Sequence, residues 1–377
     1  MIFRSFTKLI FGFFIIINIH VFAKDTFIDQ NLIDSTNQKQ DSSLQKIWEI
    51  DNQTLSSTNL IVSENKIYNT TDDGLVHCYL FDGQEKWLAE VFGSIKYNAV
   101  LFNDLFLTAT FEGDLYSINS NNGDVVQVIG VGENITTDLS LVDLTNTSFK
   151  SKGVIFGTEK GNIFCYDIFS FEMIWKIILS PQSLISKPVI ADDKIIFKDS
   201  LNSVYCVNAK SGLLIWKYDF NEKEGFPNYS NTLSNGRSII SFSTSGAIIA
   251  LDLMLGKKLW STDAMDVIPQ IAFSIDKQKL ILLTKEGEII FISSKDGKEL
   301  NKIDLKKPGL LSFIIAENKK NIFFGFSDGS LYSTDIKYKV QQLTSPTNIP
   351  IASIIFIKED EFLAKDITGN ITLYKIK

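Results

Sequence analysis

The chain has 377 residues, 45% of them apolar and 12% aromatic, with 37 Lys and Arg against 44 Asp and Glu and a net charge of −7. Such a composition supplies a large core and is not that of a disordered chain. An acidic balance without a basic block argues against nucleic acid as a partner, because phosphate binding needs clustered cations.

Residues 1–23 differ in character from the rest. Arg4 and Lys8 precede an apolar stretch, Ile10–Ile19, and Val21-Phe22-Ala23 ends on small residues before Lys24. This reads as a secretory signal peptide. The alternative is an uncleaved anchor, but the stretch is shorter than the ~20 residues of a spanning helix and is interrupted by Asn18 and His20. Residues 24–43 are polar and aperiodic, as expected of a flexible linker.

From residue 44 onward the chain repeats. GLVHCYLFDGQEKW (74–87), GDLYSINSNNGDVVQ (113–127), GNIFCYDIFSFEMIW (161–175) and NSVYCVNAKSGLLIW (202–216) align with GAIIALDLMLGKKLW (246–260), GEIIFISSKDGKELN (287–301), GSLYSTDIKYKVQQL (329–343) and GNITLYKIK (369–377). The openings lie 39, 48, 41, 44, 41, 42 and 40 residues apart. A repeat of about 42 residues is the length of a four-stranded propeller blade. Two apolar runs split by a polar turn precede each opening, as in KPVIADDKIIFKDSLN. The expectation is an all-β, eight-bladed propeller of antiparallel blades over residues 44–377.

The five Trp residues set the register. Trp87, Trp175, Trp216 and Trp260 fall 13 or 14 residues after an opening residue, whereas Trp48 has no opening before it. The last repeat stops where its own Trp strand would begin. Both defects vanish if residues 44–50 supply the outer strand of the blade that residues 369–377 start, which also removes the exposed sheet edges. The same register places Cys78, Cys165 and Cys206 at one position, filled elsewhere by Ser117, Ala250 and Ser333. They are expected to be buried thiols in three different blades. His77 occupies a position held elsewhere by Tyr116, Phe164, Tyr205 and Tyr332, so a packed ring is expected rather than a base. No catalytic, metal or cofactor-binding residue emerges.

These motifs resemble the quinoprotein-like repeat, in which a strand, a small residue and Asp lead to a Gly turn and a docking Trp. Ala250, Asp252, Gly256 and Trp260 match it, as do Cys206, Asn208, Gly212 and Trp216. The resemblance implies that Trp48, Trp87, Trp175, Trp216 and Trp260 dock on turns of neighbouring blades, burying a large ring and pairing its indole N–H. Repeats two, six and seven place Gln127, Asn301 and Leu343 at that position. Within this superfamily, the leader, linker and eight repeats resemble the BamB family of outer-membrane protein assembly factors. That resemblance implies a non-enzymatic periplasmic scaffold, a monomer within a complex. It would hold the POTRA domains of a BamA-type subunit at the inner face of the outer membrane. Family members carry a lipid-anchoring Cys after the leader, and here Cys occurs only at 78, 165 and 206. Membrane association is therefore expected to be indirect, through the partner. The family's contact segments correspond to the long loop NEKEGFPNYSNTLSNGRS, with Phe226, Asn228 and Tyr229, and to residues 263–269, with Asp266 and Ile268.

Other readings remain open. A quinone-dependent dehydrogenase would need a vicinal Cys pair and clustered carboxylates, and this chain has no Cys-Cys. A sensor propeller binding a peptide or small molecule in its channel is not distinguishable from a scaffold by sequence, since repeat motifs specify fold and not activity. A luminal stress-sensor domain would suit the six Asn-X-Ser/Thr sites at Asn52, Asn69, Asn134, Asn146, Asn228 and Asn370, but no membrane span follows the repeats.

Overall fold

Short strands of alternating or continuous apolar residues, separated by turns with Gly, Asn or Asp, pair locally into antiparallel hairpins. In the computed structural model they form eight four-stranded antiparallel sheets, the blades of a propeller. It describes residues 44–145, 152–178, 185–220, 232–243, 246–268, 270–335 and 337–377. The leader and linker expected over residues 1–43 lie outside these. Among the described residues there is no α-helix.

Blade 1 consists of Ile61–Ser63, Lys66–Thr70, Leu75–Leu80 and Glu85–Glu90. Blades 2 to 7 repeat this order over 100–130, 140–178, 189–219, 233–261, 272–304 and 313–342. Blade 8 takes three strands from 351–376 and its fourth from Leu44–Ile50, so the ring closes through its two ends. Leu44 pairs with Ile376 and Ile50 with Ile371 in antiparallel register. Asn52 Nδ2 donates to Gly369 O at 2.9 Å and the Ser56 amide to Ile367 O at 2.9 Å, tightening the same seam.

First strands of neighbouring blades meet one another, which places them at the axis. Second and third strands are covered on both faces by adjacent blades, so Asn162–Asp167 and Lys194–Lys198 are buried throughout. Fourth strands are the outer edges and alternate between buried and exposed, as in Glu85–Glu90. Among the described residues the buried apolar side chains form eight clusters, each made by two successive blades. The cluster joining Leu363, Ile371 and Leu373 of blade 8 to Ile67 and Tyr79 of blade 1 completes the circuit.

Each Trp lies across the third-to-fourth-strand turn of the next blade. Trp48 covers Gly83, Trp87 covers Gly123, Trp175 covers Gly212, Trp216 covers Gly256 and Trp260 covers Gly297. Indole N–H groups of the first four donate to Phe81, Ser120, Ala209 and Leu253 carbonyls at 2.9–3.1 Å. Gly256 shows why glycine is needed: its φ is +66°, and a β-carbon there would lie 2.6 Å from Trp216 Cδ2. Where the preceding blade offers no Trp, the turn no longer needs Gly. Gln127 Nε2 donates to Ser170 O at 3.2 Å, and the left-handed turn position beside it is Phe171, φ 54°, buried in the interface. Blade 7 likewise carries Tyr338 at φ 62°, its ring 4.8 Å from Phe291 of blade 6.

One register expectation is corrected. In blade 7 the residue opposite Ser333 is Gln341 and not Leu343. Ser333 and Gln341 are eight residues apart, whereas Cys206 and Trp216 are ten apart, because the intervening turn is two residues shorter. Leu343 lies beyond the strand, buried between blades 7 and 8.

Candidate functional site: the loop face

Antiparallel blades sort their connections onto two faces. Second-to-third-strand turns and fourth-to-first-strand loops share one, called here the loop face. First-to-second and third-to-fourth turns share the other, the turn face. Both segments singled out by sequence belong to fourth-to-first loops. Phe226, Asn228 and Tyr229 lie outside the described residues.

The second segment is described up to Ile268. The Asp266 carboxylate is exposed and lies 2.5 Å from Lys285 Nζ, which rises from the second-to-third turn of blade 6. The Lys285 amide donates to Asp266 O at 3.3 Å and the Ile268 amide to Leu283 O at 2.9 Å, so residues 266–268 are pinned along that turn. This fixes Asp266 outward and Ile268 inward. Ile268 is buried in the cluster between blades 6 and 7, so its side chain holds the loop down and offers nothing to a partner. Lys285 had no signal in the sequence beyond its place in a turn. Exposed apolar side chains also mark this face: Leu55, Phe92 and Leu311 in fourth-to-first loops and Leu201 in a second-to-third turn.

Charged groups brace the same loops. Glu133 accepts bonds from Thr158 Oγ1 at 2.6 Å, Asn162 Nδ2 at 2.7 Å and Lys176 Nζ at 3.0 Å. Burial pushes its pKa up, yet these donors hold it below the usual carboxylate range. Asp328 is likewise pushed up by burial but held low by Lys307 and Ser330. The described turns of the loop face are thus braced by their own side chains and need little further ordering.

The reactive groups elsewhere are enclosed. Cys78, Cys165 and Cys206 are free thiols, fully buried, and burial pushes Cys78 to about 11 and Cys206 to about 12. Cys165 is raised further still for the same reason. The His77 ring stacks on Tyr79, centroids 5.6 Å apart, and donates from Nδ1 to Glu85 Oε1 at 2.7 Å. One pair resembles a Ser–Lys catalytic dyad: Lys365 Nζ lies 2.5 Å from Ser56 Oγ, and burial lowers Lys365 to about 7. Both side chains are fully buried, and the Ser56 hydroxyl also bonds to Thr70 O at 2.5 Å. No substrate reaches it; it is a polar weld between blades 8 and 1. Among the described residues no group of three or more His, Cys, Asp or Glu converges as a metal site would require.

A family model described as outer membrane protein assembly factor BamB matches residues 145–266 and 173–346. The chain is 20% identical over 277 residues to the outer membrane protein assembly factor BamB of Shewanella oneidensis, covering 69% of this chain and 67% of that one. It is 21% identical over 288 residues to the protein of the same name from Yersinia pestis, covering 74% and 71%. An uncharacterized protein of Rickettsia prowazekii is 22% identical over 187 residues, 45% of each chain. Among solved structures, BamB from Moraxella catarrhalis superposes with a TM-score of 0.70 at 15% identity, over 88% of this chain and 99% of that one. A computationally designed protein superposes equally well, with a TM-score of 0.70 at 16% identity over 86% and 97%. Superposition at such identity speaks for the fold alone.

Proposed function

The chain belongs to the BamB family of outer membrane protein assembly factors, and on that premise we propose that it is a non-enzymatic periplasmic scaffold of the outer-membrane β-barrel assembly machinery. Its partner is a BamA-type subunit, whose POTRA domains it holds at the inner face of the outer membrane. The observation that carries the reading is the family match, because it spans the blades on both sides of the Asp266 loop. The loop face supplies fitting surface: exposed Asp266, the adjacent Lys285, and the apolar side chains Leu201 and Leu311 on braced turns. Phe226, Asn228 and Tyr229 of the long loop are assigned to the same contact. The three thiols and the Ser56–Lys365 pair are buried and take no part in this contact.

A second reading, a ligand-sensing propeller, has one observation in its favour: a cavity of about 470 Å³ at the first strands, lined by Asn59, Gln270 and Ser353 among others. Its polar groups are largely spent within the protein. Gln270 bonds both the amide and the carbonyl of Phe313, and Ser353 Oγ accepts the Leu60 amide. The scaffold reading predicts that affinity purification from envelope extract recovers the barrel-inserting subunit, and that Asp266→Lys lowers the yield. Recovery of soluble periplasmic proteins alone overturns it.

A further inference from the structure

We propose that the loop face carries a second docking surface, on blades 1 and 2, for a lysine- or arginine-bearing polypeptide segment that seats an apolar side chain between Leu55 and Phe92. Phe92 is 83% exposed and Leu55 59%. Both belong to fourth-to-first loops, and the two loops flank one turn. The Asp72 amide donates to Leu55 O at 2.8 Å and the Val91 amide to Gly74 O at 2.9 Å. That turn, residues 71–74, joins the second and third strands of blade 1.

The backbone around both side chains is anchored. Ser57 donates to Asp72 Oδ1 from its amide at 3.1 Å and from its hydroxyl at 3.0 Å, which fixes the chain after Leu55. The Phe92 amide donates to Tyr116 Oη at 3.2 Å, and the Ser94 amide to Glu112 Oε2 at 2.8 Å. Leu55 and Phe92 therefore project from fixed points, and a partner orders little by binding them.

Charge identifies the occupant. Asp51, Asp72, Asp73, Glu90, Glu112 and Asp114 lie on the same loops and turns as this pair. The nearest ion pairs engage other carboxylates, Glu49 with Lys46 and Glu133 with Lys176. Among the described residues the lysines of this region are Lys96, whose Nζ lies 5.0 Å from the centre of the Phe111 ring, and Lys365. Lys365 is fully buried below Asp72 and bonded to Ser56 and Asn69. Around the Asp266 segment, by contrast, acid is matched by base, Asp266 with Lys285 and Asp328 with Lys307. An acidic excess around exposed apolar side chains repels phosphate-bearing surfaces, whether lipid or nucleic acid, and attracts a cationic chain. It also disfavours a second copy of the protein, since an isologous contact would set these carboxylates against one another. A segment with Lys or Arg flanking an apolar residue meets both parts of the surface. Blades 1 and 2 lie four blades round the ring from blades 5 and 6. This contact and that of Asp266 are thus on opposite sides of the axis and can be filled together.

The test is fluorescence anisotropy of a labelled nonapeptide, one leucine between two runs of four lysines, titrated with the purified full-length protein. Wild type binds it saturably, less tightly as salt is raised, and does not bind the same peptide built with glutamate. Glycine in place of the leucine, Phe92→Ser in the protein, or the triple variant Asp73→Asn, Glu90→Gln and Glu112→Gln each weakens binding about tenfold. Asp82→Asn with Asp296→Asn and Asp360→Asn removes as much charge from the turn face and leaves binding unchanged. Asp266→Lys leaves it unchanged as well, so this contact and the scaffold reading stand or fall separately. These positions are exposed, and unchanged melting curves show that the variants are folded. No binding by wild type, equal binding by Phe92→Ser, or the same loss from the turn-face variant overturns the proposal. So does a wild-type dimer in sedimentation velocity that Phe92→Ser dissolves, because a second copy would then cover the patch.

Discussion

Replacing Gly256 by Ala tests the physical link between the repeat motif and the ring. Gly256 has φ +66°, where an alanine costs about 1–2 kcal/mol of backbone strain. The new β-carbon would also sit 2.6 Å from Trp216 Cδ2 and 2.8 Å from Cε3, so the indole has to move. That displacement weakens the Nε1–H bond to Leu253 O, 2.9 Å long and worth about 1 kcal/mol. It also overpacks a buried interface at a further cost of about 1–3 kcal/mol. Gly132 is the control: its φ is +77°, but nothing lies within 4 Å of an added β-carbon. Gly132→Ala should therefore cost about 1 kcal/mol, from strain alone, and Gly256→Ala about 3 kcal/mol or more. In a Trp216→Ala background, itself about 3–5 kcal/mol less stable, the Gly256→Ala cost should fall to that of the control. Urea unfolding followed by circular dichroism measures all four variants. If Gly256→Ala costs no more than Gly132→Ala, or the same with and without the ring, the indole is not what the turn glycine accommodates.

Three further outcomes follow from the same contacts. Lys365, held at about 7 by burial against 10.5 for a free lysine, binds fewer protons folded than unfolded between those values. Stability should therefore rise with pH across that window, by up to about 1.4 kcal/mol per unit, and be flat on this account below pH 7. Lys365→Met should remove the slope, and equal slopes in urea titrations of the two proteins at pH 7 to 9 would refute the assignment. Deleting residues 44–50 removes Leu44 and Trp48 and bares the Ile371–Ile376 edge, so the melting temperature should fall on the order of 10 °C; an unchanged melt contradicts closure by that strand. Cys78, Cys165 and Cys206 should resist a disulfide reagent at pH 8 in the native protein and all react in urea. Stoichiometric native labelling would show that the interfaces open.

What could be read from the chain was whatever the repeat enforces eight times. Blade number and order were legible because every blade needs its turns at matching points. Closure was legible because Trp48, without an opening before it, had a place only beside the final repeat. Single deviations were not. The shortened blade 7 turn moved the outer-strand position to Gln341, and Leu343 looked equivalent only because the two residues missing there leave no compositional trace. Gln127 with Phe171 replaces Trp with Gly as a pair, but the partners lie in different repeats and meet only across the interface. Ile268 and Leu213 are both apolar residues next to turns, one buried and one exposed. What separates them is where the neighbouring blade ends, and no local pattern encodes that. Lys285 became visible only when its turn was seen to lie against the Asp266 loop.

The account rests most heavily on the loop face holding the barrel-inserting subunit. Calorimetric titration of the purified protein with the soluble POTRA domains of the BamA-type subunit from the same organism tests this most directly. It should give a saturable one-to-one isotherm, weakened by Asp266→Lys and unaffected by Met254→Ser on the opposite face. No heat of binding at any accessible concentration, or an isotherm abolished by Met254→Ser and indifferent to Asp266→Lys, would contradict it.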